Sequence, residues 1–453
     1  MRLSHANLIW SFGFLSSANS EFMDYSGYKV FTITHEKVTQ KYVNYLQAEF
    51  NADVWDSKKG QADIMVSPEH LKIFQERLNL HGLHNFYHSK IEDVGSLIGK
   101  PRKNQILTDL SDFDYQVYHS YEEINNWVDL IAEQYSDIVE IESLGFSHEG
   151  REMRALKVVS GKNLATKSYY FEATIHAREW ITPAALMQIV SRFLQNYKNG
   201  DANEVELLEN LDWYFLPVTN PDGYVYTWEH DRMWRKTRSL YDESGRCYGV
   251  DANRNWDTKY WDDDIGSSSH YCSETYRGPN AWSEPCICNV RDYITKINTE
   301  RNPVKGFFDI HSYSQFWLYN FGYDEHKPDN LNNLAKIGNF AAGAIYDVHG
   351  TEFDVGDWYN VLYPSTGTAI DYMYDVQKVP CATTTELRDT GRYGFLLPED
   401  QITAVSEEMY AAYMLVGHAV IDGYCDSQSG DAVDVDSGIP EEILRKLKHQ
   451  FAQ

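Results

Sequence analysis

An α/β sheet covered by helices on both faces, preceded by a small α+β unit, is the fold class this chain predicts. Two observations of pattern and one of length carry it. Residues 28–98 hold two short strand-and-helix units, whereas from Tyr115 onward longer strands and helices alternate. Alternation of that kind buries a sheet on both faces. The 453 residues exceed one ordinary domain and suit a large domain plus a smaller one. With 43% hydrophobic and 24% charged residues, the composition is that of ordinary globular domains. The 33 tyrosines and 12 tryptophans fit a large core and an aromatic-lined cleft. A formal charge of -27 argues against nucleic acid as a partner, because its phosphates need a basic surface.

The elements follow in order. Arg2 precedes the mostly apolar stretch Leu8–Leu15, and Ala18-Asn19-Ser20 forms a small-x-small cleavage site. This predicts a secretory signal peptide over 1–20 and an extracellular destination, such as a digestive lumen or secretory vesicle; a disordered tail is the plainer reading. No other apolar run approaches the ~18–20 residues that span a membrane. Tyr28–Thr34 reads as a strand and Glu36–Phe50 as a helix, with Val38, Tyr42, Leu46 and Phe50 at helical spacing. Ala62–Ser67 is a second strand, and Pro68–Leu80 a helix with proline in its first turn. Strand–helix–strand, repeated, predicts a split βαβ sandwich over 25–103.

The stretch "GKPRKNQILTDLSD" (99–112) lacks apolar periodicity. Pro101 hinders trypsin-like cleavage after Lys100, but Arg102 and Lys103 are available, so this is either a plain linker or an activation site. A second domain runs over 113–424. Ser120 and Glu123 form a capping box for a helix reaching Gln134. Strands fit Ala155–Val159, Tyr169–Ile175, Asp212–Val218, Gly306–Ile310 and Ala382–Thr385; helices fit Thr182–Lys198, Pro285–Glu300 and Asn330–Tyr346. Beyond Cys425 comes an acidic, small-residue linker. It leads to a helix over 440–453 with Ile443, Leu444, Leu447 and Phe451 on one face. Docking on the main domain and binding a partner are both open for that helix.

Six cysteines in an exported chain suggest disulfides. Cys247 and Cys272 flank one polar segment and are the preferred pair. Cys286 and Cys288 stand too close to bridge each other, and Cys381 and Cys425 are candidate partners; a free thiol is equally open for all four.

The chemistry concentrates at strand ends, where open α/β sheets bind ligands. The strand "YYFEATI" ends in His176-Ala-Arg-Glu179, "GFFDI" in His311-Ser-Tyr313, and "CATTT" in Glu386. The H-x-x-E spacing alone means little, since His119/Glu122 and His349/Glu352 share it. His119 stands at a helix start, and His349 leads into a glycine loop. His176, Glu179 and His311 would form a two-histidine, one-carboxylate set, the three-ligand arrangement of catalytic zinc. Glu386 is then placed as a general base toward water. Arg254 and Asn253 suggest a grip on a substrate carboxylate. Asp251 is placed to accept the second ring N–H of a zinc histidine. A polar strand end is the better reading of any one of these residues, but not of all jointly.

The stretches "FSHEGREM", "IHAREWITP", "TNPDGY", "MWRKTRS", "GVDANRNWD", "CSETYRGP", "IHSYSQ" and "TTELRDTGRYGFLLP" resemble the metallocarboxypeptidases of the pancreatic carboxypeptidase A and B type. They run in order from about 146 to 398. The resemblance implies a mixed open sheet with helices on both faces. It also implies that the N-terminal unit is a ferredoxin-like activation peptide covering the cleft until a trypsin-like protease acts. One Zn2+ per chain is implied, with His176, Glu179 and His311 as ligands and Glu386 as general base. Arg238 corresponds to the arginine that stabilises the oxyanion. Asn253, Arg254 and Tyr363 correspond to the groups that hold the substrate's terminal carboxylate. Arg178 matches an auxiliary subsite residue and Tyr313 a residue beside the cleft. The pair Cys247–Cys272 matches a family disulfide.

Ile370 falls where B-type enzymes carry an aspartate for Lys or Arg side chains. An apolar floor disfavours a buried charge, so A-type release of aromatic or aliphatic residues is expected, with Trp358 on the same wall. Asp309 shares a strand face with His311, which leaves polar or basic side chains open. The expected activity is hydrolysis of the last peptide bond of peptides and proteins by a monomer. B-type preference and a non-catalytic, peptide-binding relative are the alternatives.

Overall fold

Four strands make the first sheet: β1 (Lys29–Thr34), β2 (Asp53–Lys58), β3 (Gln61–Val66) and β4 (Tyr87–Ile91), in the order β2-β3-β1-β4. All its pairings are antiparallel. The helices Gln40–Phe50 and Leu71–Leu80 cover it, and Phe31, Ile33, Leu46, Phe50, Phe74 and Leu78 form the shared core. The first helix starts later than its apolar spacing suggests, because Thr39 caps it by accepting from the Tyr42 N–H. In the computed structural model, residues 22–426 are described, except 100, 101, 103 and 163. The expected signal segment and the tail helix lie outside the described residues.

Eight strands make the second sheet: β5 (Val139–Phe146), β6 (Glu152–Val158), β7 (Lys167–Ala173), β8 (Leu211–Leu216), β9 (Val304–Ser312), β10 (Phe316–Tyr319), β11 (Asp354–Asp357) and β12 (Cys381–Leu387). Their order is β11-β10-β12-β9-β7-β8-β6-β5. The central strands β12, β9, β7 and β8 run parallel, while β10 meets β12, and β6 meets β8 and β5, antiparallel. The sheet is therefore mixed and open. Alternate residues of β7 point into two separate cores: Tyr169, Phe171 and Ala173 into one, Tyr170 into the other. Helices Tyr121–Gln134, Ile181–Asn199, Leu331–His349 and Ile402–Ile421 close the first core, whereas Pro285–Glu300 and Ala369–Asp375 close the second.

The capping box at Ser120 and Glu123 is present. Cys247–Cys272 and Cys381–Cys425 are disulfides, with Cα separations of 5.0 and 5.5 Å. Cys286 and Cys288 are free thiols. The second bridge ties the segment after the last helix to the start of β12.

Candidate active site

The turn after β7 sets the first two functional side chains. Thr174 takes a left-handed φ of 62°. Its N–H donates to Thr182 Oγ1 (3.1 Å) and its hydroxyl to the Pro217 carbonyl (3.0 Å), so the surroundings hold the strained backbone in place. The chain then presents His176 and Glu179 before the helix at Ile181 begins. His311 stands near the end of β9, in register with Glu386 on the parallel neighbour β12. Three strands thus deliver their C-terminal ends to one place.

Glu179 Oε1 lies 2.8 Å from His176 Nδ1, and Oε2 lies 3.1 Å from His311 Nδ1. The two Nδ1 atoms are 3.1 Å apart. All three residues are buried, and their donor atoms fall within 4.8 Å of one another. Two imidazole nitrogens and a carboxylate aimed at one point, away from water, suit a divalent cation of zinc's ligand preference. Burial opposes the Glu179 charge, yet the two histidines outweigh it and hold its carboxyl below the usual range. Burial also disfavours a His311 cation, but Asp309 and Glu179 outweigh it and raise its pKa well above the ordinary value.

The other ring nitrogen of His176 lies 3.1 Å from Asp251 Oδ1, and the Arg235 guanidinium contacts Asp251 Oδ2 at 2.9 Å. Despite burial, Arg235 and His176 keep the Asp251 carboxyl well below its usual pKa. Glu386 borders the same cavity as His176 and Glu179, and burial pushes its carboxyl well above the usual range. A carboxyl whose proton affinity is raised is suited to general-base work.

Arg238 is a correction. Its guanidinium lies 3.6 Å from the Tyr226 ring centroid, 4.4 Å from Trp234 and 4.8 Å from Tyr248, outside the cavity. Arg235 borders the cavity instead. Both sit in "MWRKTRS", and this segment forms neither helix nor strand. No periodicity in it could tell which arginine faces inward.

Arg254 is buried and firmly oriented. Its NH1 donates to the Asn253 carbonyl (2.7 Å), its Nε to the Gly266 carbonyl (3.1 Å), and its NH2 reaches Ser365 Oγ (3.1 Å) and Tyr363 Oη (3.4 Å). Tyr363, Leu362 and Trp358 line the cavity, and the Trp358 indole donates to Ser365 Oγ at 3.1 Å. Asn253 sits behind the cavity wall, with its Oδ1 accepting from the Ala369 N–H at 2.8 Å. Ile370 is fully buried in the apolar cluster that includes Trp358, and is not among the residues lining the cavity.

The other H-x-x-E sites lie elsewhere. His119 stacks on Phe113, and His349 pairs with Glu407.

The N-terminal unit forms the opposite wall. Gln40, Asn44, Trp55 and Asp56 border the cavity. Asp53 Oδ2 pairs with Arg178 at 2.6 Å, and Trp55 meets Phe395 with ring centroids 5.3 Å apart. The Tyr313 hydroxyl lies 3.4 Å from Asp63. Glu274 and Phe395 also line the cavity without having been singled out from sequence. Both lie in stretches that carry the family resemblance, "CSETYRGP" and "TTELRDTGRYGFLLP", and Glu274 also follows the Cys247–Cys272 bridge.

Comparison with known proteins accords with this geometry. Residues 28–100 match the carboxypeptidase activation peptide family, and residues 124–412 match the zinc carboxypeptidase family. The chain is 41% identical over 312 residues to carboxypeptidase B of Astacus astacus, covering 69% of this chain and 99% of that one. It is 38% identical over 328 residues to carboxypeptidase A2 of Rattus norvegicus, covering 72% and 76%. Among solved structures, thrombin activatable fibrinolysis inhibitor superposes with a TM-score of 0.79 at 30% identity, covering 87% of this chain and 98% of that one. Carboxypeptidase A from Helicoverpa armigera gives 0.73 at 27%, covering 90% and 99%. The chain is a metallocarboxypeptidase zymogen that uses zinc, and it belongs to the zinc carboxypeptidase family.

Proposed function

We propose that this chain is secreted, is activated by a trypsin-like protease at the 99–112 linker, and then acts as a monomer. It removes single aromatic or aliphatic residues from peptide and protein C-termini. The observation that carries the reading is the buried His176, Glu179 and His311 set, opening on a cavity that Glu386, Arg235 and Arg254 share. When bound, zinc supplies Lewis-acid charge at the scissile carbonyl and the attacking water.

The protein groups divide the rest of the work. Arg254, with Tyr363 beside it, holds the substrate's terminal carboxylate as a charge-assisted, forked contact; Asn253, expected from sequence to share that contact, has its amide committed to the Ala369 N–H and Asp309 instead. That anchoring restricts reaction to the last peptide bond. Glu386 takes a proton from the attacking water and returns it to the nitrogen of the leaving amino acid. Arg235, oriented by Asp251, faces the charge that develops on the carbonyl oxygen. Arg178 and Tyr313 contact upstream substrate residues once the N-terminal unit has left.

A-type preference draws on Trp358 and Leu362 at the cavity wall and on Ile370 behind it. B-type preference draws on the Glu274 carboxylate in the cavity. A panel of peptides differing only in the C-terminal residue, run on the trypsin-treated chain, tests all of this. Release of Phe and Leu, abolished by o-phenanthroline and reduced by at least ~10³ in Glu386→Gln, is expected. Faster release of Arg or Lys establishes the B-type reading. No release of any residue leaves a peptide-binding relative.

A further inference from the structure

Strand β9 carries one acidic residue, two positions before His311 and on the same face. Asp309 is completely buried, and its register partners are Glu172 on β7 and Thr384 on β12. Its Oδ2 lies 2.8 Å from His311 Nε2. Asn253 donates to the same oxygen at 3.2 Å, and its own Oδ1 is occupied by the Ala369 N–H, which fixes the amide with nitrogen toward Asp309.

His311 has two ring nitrogens and two calls on them. Nδ1 faces Glu179 and His176; Nε2 faces Asp309 at 2.8 Å and the Asn253 amide nitrogen at 3.1 Å, and since that nitrogen can only donate and also donates to Asp309, the carboxylate is the one acceptor open to an Nε2–H. We propose that Asp309 is a positioning residue for the metal site: by accepting the Nε2–H of His311 it fixes the tautomer that leaves Nδ1 to the metal. His176 has the same arrangement with Asp251. Each histidine is therefore backed by its own carboxylate, and the two backings differ in charge balance. Asp251 is neutralised by Arg235, whereas Asp309 faces Glu172.

Glu172 is fully buried, and both its oxygens lack a hydrogen-bond partner. Burial, reinforced by Asp309, raises the pKa of its carboxyl well above the usual range. Two anions on adjacent strands would repel; a neutral Glu172 removes that conflict. The arrangement also gives Asp309 a role other than substrate selection, since its Oδ2 is committed to His311 and Asn253.

The inference rests on the assignment of His176, Glu179 and His311 as metal ligands. Its test is zinc affinity of the full chain, measured by competition with a chromophoric chelator, alongside the visible absorption of the Co2+-loaded form. Asp309→Asn is expected to weaken zinc binding about 10–100-fold and to shift the cobalt bands. Asp309→Glu, which keeps a carboxylate, falls between this variant and the wild type. Glu172→Gln stays within about threefold of wild type, because the Glu172 carboxyl oxygens make no hydrogen bond that the amide would lose. Wild-type affinity and unchanged bands in Asp309→Asn overturn the proposal, as does a loss confined to the melting temperature of the metal-free chain. If Asp309→Asn yields no folded protein, Asp309→Ser reads the same affinity. His176→Ala distinguishes the two layers: unaltered zinc binding there sinks the ligand assignment and this inference with it.

Discussion

Arg235 and Arg238 stand three residues apart, and their surroundings give them unlike chemistry. Arg235 makes two contacts with Asp251, at 2.9 and 3.3 Å, beside the cavity. Burial disfavours its charge, but Asp251 outweighs that and holds the guanidinium firmly ionised. Arg238 is held by ring faces, and burial pulls its pKa down. A preorganised cation beside the reacting carbonyl differs in kind from a cation packed among tyrosines and tryptophan. Arg235→Lys, which retains a charge for Asp251, is expected to lower kcat by about 10²–10³, as removal of one oxyanion donor does. Arg238→Ala is expected to leave kcat/KM within about threefold while lowering stability by roughly 1–2 kcal/mol through lost ring contacts. Steady-state kinetics of both variants decide it, and a larger kinetic loss in Arg238→Ala sinks the assignment. The metal-ligand candidates were legible because strand ends announce them. The arginine was not, because an irregular segment has no period to read.

Close approach of β7 and β9 depends on one missing side chain. A Cβ built on Gly306 would lie 2.5 Å from two atoms of the Tyr169 ring, which also packs edge-on against Phe308 with centroids 4.9 Å apart. Tyr169 is fully buried and its hydroxyl donates to the Tyr413 carbonyl, so the ring has little room to yield. Gly306→Ala should therefore destabilise the second domain by roughly 1–3 kcal/mol, read from the urea midpoint; an unchanged midpoint means the ring repacks freely. These central strands were readable as apolar runs because both faces are covered. The edges were not. β10 and β11 are four residues each, and β11 (Asp-Val-Gly-Asp) holds no apolar run. β2, only partly buried, has no clear apolar alternation either, although it carries Trp55 and Asp56 against the cavity and Asp53 onto Arg178. Helix Ile402–Ile421 is buried on nearly every side, so it lacks the polar stripe that marks a surface helix.

Across the whole molecule, the N-terminal unit and the second domain meet through a few polar anchors around an aromatic contact. Tyr25 donates to Asp231 at 2.6 Å, Lys90 to the Thr390 carbonyl at 3.1 Å, and Asp53 pairs with Arg178, while Trp55 packs on Phe395. Removing this unit frees Arg178 and Phe395 together, so blocking substrate and storing subsite residues are one arrangement. Two carboxyls on β2 make the contact sensitive to pH. Burial, opposed by Arg178, raises Asp53 to about 6, and burial reinforced by Asp63 raises Asp56 to about 6, from an ordinary value of 3.8. Release removes the share of that burial which the second domain supplies, while the Asp63 repulsion on Asp56 stays within the N-terminal unit, so each carboxyl binds its proton more tightly docked than released. Docking is therefore strongest below about pH 4 and weakens as pH rises through about 6. After the linker is cut, the N-terminal unit should dissociate about tenfold or more readily at pH 7 than at pH 5. The nicked chain tests this through residual inhibition at each pH, assayed with one substrate at saturating zinc. Tighter inhibition at pH 7 contradicts it, and Asp56→Asn, which takes one titrating group out of the contact, should flatten the dependence.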